Sequence, residues 1–279
     1  MKKENKVITF TSDFGFEDGW EAQCKAVILS IIPSVKIIDI THQIPSYDIW
    51  KGSFILSYAL LPFSPAIHLA VIDPGVGTKR RPIVIKSKMG DFLIGPDNGL
   101  LIPAARSLGG IDKVVEITNQ TLWNHPVSST FHARDIFAPV AAYIARGFDI
   151  NKVGKEILEN SLIKEPWDEP KIKGNSILAQ VLDIDKFGTI RLNIKTDLLK
   201  KIGVKIEDEI YIGVYKIINK RKSKYLGDIA YKNTFNDIDR GSPLLLVDSS
   251  NYLSLAINMG SATKKYSIKR GERLFLKIK

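Results

Sequence analysis

Cysteine, histidine and methionine are scarce: one, four and three in 279 residues. The single Cys24 excludes a disulfide within the chain. One thiol and four imidazoles supply a metal cluster poorly, so no metal is expected, and no sequence motif leads us to expect another cofactor. No uninterrupted apolar run approaches the roughly 18 residues of a membrane span. The charged start, Met1-Lys2-Lys3-Glu4-Asn5-Lys6, is followed by only Val7-Ile8-Thr9-Phe10 before polar residues resume. That stretch is too short for the core of a signal peptide, which points to a cytoplasmic protein without a membrane partner.

Composition is that of a globular protein, with 44% hydrophobic and 25% charged residues. The net charge of +10 permits nucleic-acid binding without requiring it. The densest basic run, Lys216 to Lys224, reads as a solvated hairpin tip, and no nucleic-acid recognition motif accompanies it, so no nucleic-acid partner is expected.

The first half alternates strand-like and helix-like patterns. Apolar runs at 6–11, 35–40 and 66–72 read as strands, and 82–86 with 91–94 as a strand pair. Segments near 19–32, 48–61, 100–108 and 138–146 read as helices. This rhythm predicts an α/β domain with a mainly parallel sheet over 1–165. The Pro-bounded stretch at 166–175 reads as a linker. Over 176–279, short β-branched runs recur between turn residues, as at 177–184, 189–194, 209–215 and 243–247. They predict a smaller all-β, barrel-like domain.

Four apolar runs of the first half end in acidic or polar residues beside turn formers. They are Ser12-Asp13-Phe14-Gly15, Asp39-Ile40-Thr41-His42, Asp73-Pro74-Gly75-Val76-Gly77-Thr78 and Pro96-Asp97-Asn98-Gly99. In open α/β sheets ligands gather outside the carboxyl ends of strands, so a row of such ends predicts a polar pocket. The 74–78 turn lacks the ending of a phosphate-binding P-loop and reads as a strand-to-loop turn. Phe131-His132-Ala133-Arg134-Asp135 adds an isolated histidine and a local charged pair.

Taken in order, these runs, with Val71 to Arg81, Asp185-Lys186-Phe187-Gly188 and the stretch 249–258, resemble the S-adenosylmethionine hydroxide adenosyltransferase family, which is related to fluorinase and chlorinase. The resemblance spans nearly the whole chain. It implies an α/β N-terminal domain, a β-barrel-like C-terminal domain and hydrolysis of S-adenosylmethionine to adenosine and methionine without a metal. It also implies a homotrimer whose substrate sites lie between subunits. The hydrolase set falls on Asp73, Arg80 and His132. Only seventeen residues separate Thr78 from Pro96, so the long fluorinase insertion there is missing. That spacing and the Asp-His pair favour water over halide.

The chemistry suits the residues. The sulfonium departs as a neutral thioether, so the demand falls on the nucleophile, a water held in line behind C5′. Asp73 is a general base for that water, Arg80 a bidentate clamp on the carboxylate, and His132 either an alternative proton acceptor or a second hydrogen bond to the water. Arg81 stands equally near Asp73 in sequence, and the choice of Arg80 rests on the family spacing. The resemblance further assigns Asp13 to the ribose hydroxyls, Tyr47 to adenine stacking and Asp18 to the methionine amino group. Asp185, Phe187, Thr189 and Ser249 fall where the family lines the adenosine and methionine ends.

Three positions depart from the pattern. Thr189 stands where an adenosine-contacting Asn is usual, Ala133 where hydrolases commonly have Gly, and Ser250 where fluorinase has Arg. Two further readings are a non-catalytic sensor of S-adenosylmethionine or adenosine, which Thr189 keeps in view, and a halide-dependent adenosyl transferase, against which Asp73 and His132 argue.

Overall fold

The computed structural model describes residues 7–204, 210–219 and 222–279. Glu209, at the start of one expected strand, and Lys220 and Arg221, within the basic run, lie outside the described residues. The chain forms two compact units, Met1–Pro166 and Trp167–Lys279.

The first unit is built on a seven-stranded sheet. Its strands are β1 Val7–Ser12, β2 Lys36–Thr41, β3 Ile67–Val71, β4 Pro82–Ser87, β5 Phe92–Pro96, β6 Ile111–Ile117 and β7 Gly154–Glu156. They lie in the order β2-β1-β3-β5-β4-β6-β7. The four strands β2-β1-β3-β5 run parallel, and β4, β6 and β7 extend the sheet by antiparallel pairings. The parallel character expected from sequence thus holds at the core of the sheet. Strand β6 was not expected. Its sequence, Ile111-Asp112-Lys113-Val114-Val115-Glu116-Ile117, follows no strict alternation, and pairing with β4 rather than pattern makes it a strand.

Helices α1 Trp20–Ile31, α2 Ile49–Ala59, α3 Ile102–Ser107 and α4 Ala138–Ala145 cover the two faces. Ile8, Phe10 and Leu69 pack against Cys24 and Ile28 of α1 and Val140 and Ala141 of α4. On the other face, Ile72, Ile83 and Leu93 pack with Leu56 of α2 and Ala104 and Ala105 of α3. A sheet buried on both faces explains why its strands read as continuous apolar runs.

The second unit contains β8 Lys171–Lys173, β9 Ser176–Ile184, β10 Ile190–Lys195, α5 Thr196–Lys201, β11 Tyr211–Asn219, β12 Lys222–Tyr231, β13 Pro243–Val247, β14 Tyr252–Ile257, α6 Ala262–Tyr266 and β15 Arg273–Ile278. The order β10-β14-β13-β12-β11-β15-β9 closes on itself through the β9–β10 pairing, giving a seven-stranded barrel with β8 paired outside to β9. Closure removes the exposed strand edges of an open sheet. The interior is filled by Val181, Leu192, Val214, Ile229, Leu255 and Leu276, among others.

Candidate active site

Strands β1 and β3 are neighbours, with Ser12 opposite Val71. Asp13 and Asp73 therefore leave the same edge of the sheet, at the carboxyl ends of adjacent parallel strands. With Tyr47, Phe131, His132 and Arg134 they line a cleft of about 570 Å³ in the first unit, within the range of small-ligand sites.

The turn after β3 folds Arg80 back onto Asp73. Val76 N–H donates to Asp73 O at 3.2 Å, and the Thr78 hydroxyl donates to Gly75 O at 2.7 Å. Gly77 has φ +76°, and a Cβ there would stand 2.6 Å from Ser129 O. Only glycine lets this turn approach the 128–132 loop so closely. Arg80 Nε donates to Asp73 Oδ1 at 3.1 Å, and Nη2 donates to Asp73 Oδ2 at 2.5 Å. Both side chains are more than nine-tenths buried. The guanidinium lies 5.1 Å from the Phe137 ring centroid. Nη2 also stands 3.2 Å from His132 Nδ1. Burial, then the Arg80 charge, push His132 below its ordinary pKa, against the pull of Asp73 and Asp135.

His132 opens a π-helical turn, Ala133–Phe137, that runs into α4. Arg134 and Asp135 form the local pair expected from sequence, Nε to Oδ1 at 2.7 Å and Nη2 to Oδ2 at 2.9 Å. Asp135 is fully buried and also accepts from Ser128 N–H and Asn124 Nδ2, which fastens the 124–135 loop beneath His132. Arg81 turns elsewhere. Its Nε and Nη2 donate to Asp97 Oδ2 at 2.9 and 2.5 Å, and Nη1 and Nη2 reach Ser161. Asn98 ties its loop to Ile72 O at 2.8 Å. The Asp97-Asn98 run is therefore a brace within the unit and does not line the cleft.

Asp13 Oδ2 accepts the Tyr47 backbone N–H at 2.8 Å. Burial raises the Asp13 pKa, against the lowering effect of that bond. Tyr47 adopts a left-handed backbone, φ 66°, and exposes 71% of its surface at the cleft. Such a conformation is uncommon for a bulky residue and marks a constrained position. Asp18 is exposed and is not among the cleft-lining residues. Trp20, Gln23, Ser128 and Thr130 line the cleft without having been singled out from sequence. The polar run Ser128-Ser129-Thr130 just before Phe131-His132 was the available signal for two of them.

In the second unit, Asp185, Phe187, Thr189 and Ser249 line one cleft of about 900 Å³. Asp185 Oδ1 accepts the N–H groups of Phe187 and Thr189, both at 2.9 Å. This tight turn holds the Phe187 ring in an exposed position. Arg191 lies between Asp183, Asp185 and Asp248, at 3.1, 3.6 and 2.6 Å. Of these four, Asp185, Asp248 and Arg191 line the cleft, so its charged lining carries two carboxylates to one guanidinium. Asn258, the last residue of the 249–258 stretch, lies in its wall with Phe235 and Met259, which were not foreseen.

The chain matches two family profiles, the SAM hydroxide adenosyltransferase N-terminal domain over residues 8–154 and its C-terminal domain over 179–275. It is 36% identical to the (R)-S-adenosyl-L-methionine hydrolase of Salinispora tropica, over 96% of each chain. It is 26% identical to a fluorinase of an Actinoplanes species, also over 96% of each chain. Among solved structures, an uncharacterized conserved protein from Thermotoga maritima superposes with a TM-score of 0.84 at 35% identity, covering 96% of this chain and 99% of that one. Domain matches, near full-length relatives and fold agree: the chain belongs to the SAM hydroxide adenosyltransferase family.

Proposed function

We propose that the protein hydrolyses S-adenosylmethionine to adenosine and L-methionine. The observation that carries this reading is the Asp73–Arg80–His132 constellation at the cleft of the first unit. Water attacks C5′, the C5′–S bond breaks, and sulfur takes the electron pair to leave as the neutral thioether of methionine. The water's proton passes to a base and then to solvent.

The geometry favours a division of labour between the two candidate bases. A guanidinium only donates, so the contact from Arg80 Nη2 uses the lone pair of His132 Nδ1. The ring is then neutral and carries its proton on Nε2, where it is a donor. In that tautomer His132 orients the water through its oxygen and does not accept its proton. Asp73 retains free lone pairs beyond the two hydrogen bonds from Arg80 and is the acceptor. Arg80 fixes the carboxylate plane and the imidazole together, so the water is held in one place.

Asp13 takes the ribose hydroxyls and Tyr47 stacks on adenine. Asp185, Phe187, Thr189 and Ser249 serve the adenosine and methionine ends, and a lining with two carboxylates, Asp185 and Asp248, to one guanidinium, Arg191, suits a cationic substrate. The assembly is a homotrimer in the cytoplasm, in which the first-unit cleft of one subunit meets the second-unit cleft of another around the substrate. Turnover in [18O]water tests the reaction path. The reading expects one labelled oxygen in adenosine and none in methionine; label in methionine, or no turnover, would contradict it.

A further inference from the structure

Ser12 and His42 are fully buried, and neither lines either of the two clefts described above. Ser12 Oγ stands 2.7 Å from His42 Nδ1, and His42 Nε2 stands 3.1 Å from Asp39 Oδ1. Asp39 Oδ2 in turn accepts from Lys25 Nζ at 2.6 Å. The set has the composition of a hydrolytic triad, but its serine is sealed from any substrate. Buried polar groups cost stability unless paired, and the buried Ser12–His42 hydrogen bond holds both side chains in one geometry.

We propose that Ser12, His42 and Asp39 are a positioning relay for Asp13, aiming its carboxylate at the ribose diol. This rests on the assignment of Asp13 to the ribose made above. Three observations carry it. First, the negative carboxylate of Asp39, 3.1 Å from Nε2 though outside hydrogen-bond alignment, favours the tautomer with its proton on Nε2, which leaves Nδ1 to accept the Ser12 hydroxyl. Second, the residues flanking Asp13 are all tied to this histidine: Ser12 through Nδ1, Phe14 N–H through Ser12 Oγ at 3.3 Å, and Gly15 N–H directly to His42 O at 2.8 Å. Third, the fully buried ring is hemmed in by T-shaped contacts with Phe10 and Phe16, at centroid distances of 4.6 and 5.2 Å, which oppose its rotation. The relay holds the residues on either side of Asp13 in the chain, and Tyr47 N–H holds its carboxylate.

The test is a thermodynamic cycle read by adenosine binding and by steady-state kinetics on S-adenosylmethionine, in the full-length protein. Ser12→Ala deletes one oxygen and is expected to fold. It should weaken adenosine binding and raise KM by about fivefold, the worth of one hydrogen bond, with kcat within about twofold. Asp13→Asn should weaken binding too, and adding Ser12→Ala to it should cost nothing more, because the relay acts through Asp13. His42→Asn, whose amide stands where Nδ1 was, should retain most of the affinity; His42→Gln, whose amide stands where Nε2 was, should not. Unchanged adenosine affinity in Ser12→Ala, or an equal loss in the Asp13→Asn background, would overturn the relay while leaving the ribose assignment intact. Unchanged affinity in Asp13→Asn alone would remove that assignment, and the relay with it.

Discussion

Arg80 grips Asp73 with two nitrogens of its guanidinium, at 3.1 and 2.5 Å, and the adjacent Arg81 turns away to Asp97. Neighbouring residues of one type thus take separate duties.

This separation predicts opposite phenotypes. Arg80→Lys keeps a charge but loses the fork that joins Asp73 to His132, and kcat should fall at least about a hundredfold. Arg81→Ala leaves the carboxylate of Asp97, 3% exposed, without its cation and with only the Ile163 N–H bond among those described. It should cost about 2 kcal/mol of stability and leave kcat per folded molecule unchanged. Paired urea unfolding and steady-state assays separate the two; equal kcat losses would contradict the assignment.

Removing the base should separate chemistry from binding. Asp73→Ala should abolish measurable turnover, a loss of about 10²-fold or more, while adenosine binding stays measurable by calorimetry. Near-normal turnover would show that another group takes the proton.

The acid side of the rate profile should report His132. Burial and Arg80 lower its pKa from the ordinary 6.5, so the ring is neutral at pH 7 and becomes protonated only below that value. Protonation fills Nδ1, breaks the contact from Arg80 and should lower kcat. The limb in kcat should therefore lie below pH 6.5 and vanish in His132→Ala. A limb above 6.5 would contradict the tautomer argued for this ring.

Far from the cleft, fully buried Asp91 accepts from Ser64, Ala66 N–H and Ser87 and faces His68 at 3.1 Å. Burial alone would raise its pKa, but these partners outweigh it and bring it from 3.8 to about 2. A depressed folded-state value stabilises above the unfolded one and is lost as pH falls through the folded one. Stability on the order of 2 kcal/mol should therefore be present above about pH 4 and disappear towards pH 2. Asp91→Asn should flatten that part of the acid-denaturation curve; an unaltered slope would contradict the account.

Position 189 tests recognition of the adenosine end. Thr189 contributes its main-chain N–H to Asp185, a bond that Asn would keep. Thr189→Asn should be tolerated or improve KM for S-adenosylmethionine. A sharp loss would mean that the threonine hydroxyl makes a contact of its own.

Much of the fold was legible because the sheet of the first unit is buried on both faces. Its strands announce themselves as apolar runs, and Asp13 and Asp73 mark where two of them stop. The short alternations of the barrel were legible for the complementary reason, one face in and one face out. Spacing was silent where side-chain direction decides. Arg80 and Arg81 are indistinguishable in sequence, and only the turn at Gly77 sends one towards Asp73. Asp18 reads as a candidate ligand group but lies outside the cleft lining. Trp20 and Gln23 line the cleft because α1 presents them there, and their residue types carry no chemical signature. The left-handed backbone of Tyr47 leaves no trace in a residue whose type disfavours it.

The most direct measurement is incubation of the purified protein with S-adenosylmethionine in EDTA, with and without chloride, with products separated by chromatography. Adenosine and methionine in equal amounts, at a rate indifferent to chloride and EDTA, is the predicted result. A halogenated nucleoside, or saturable binding without any product, would contradict it.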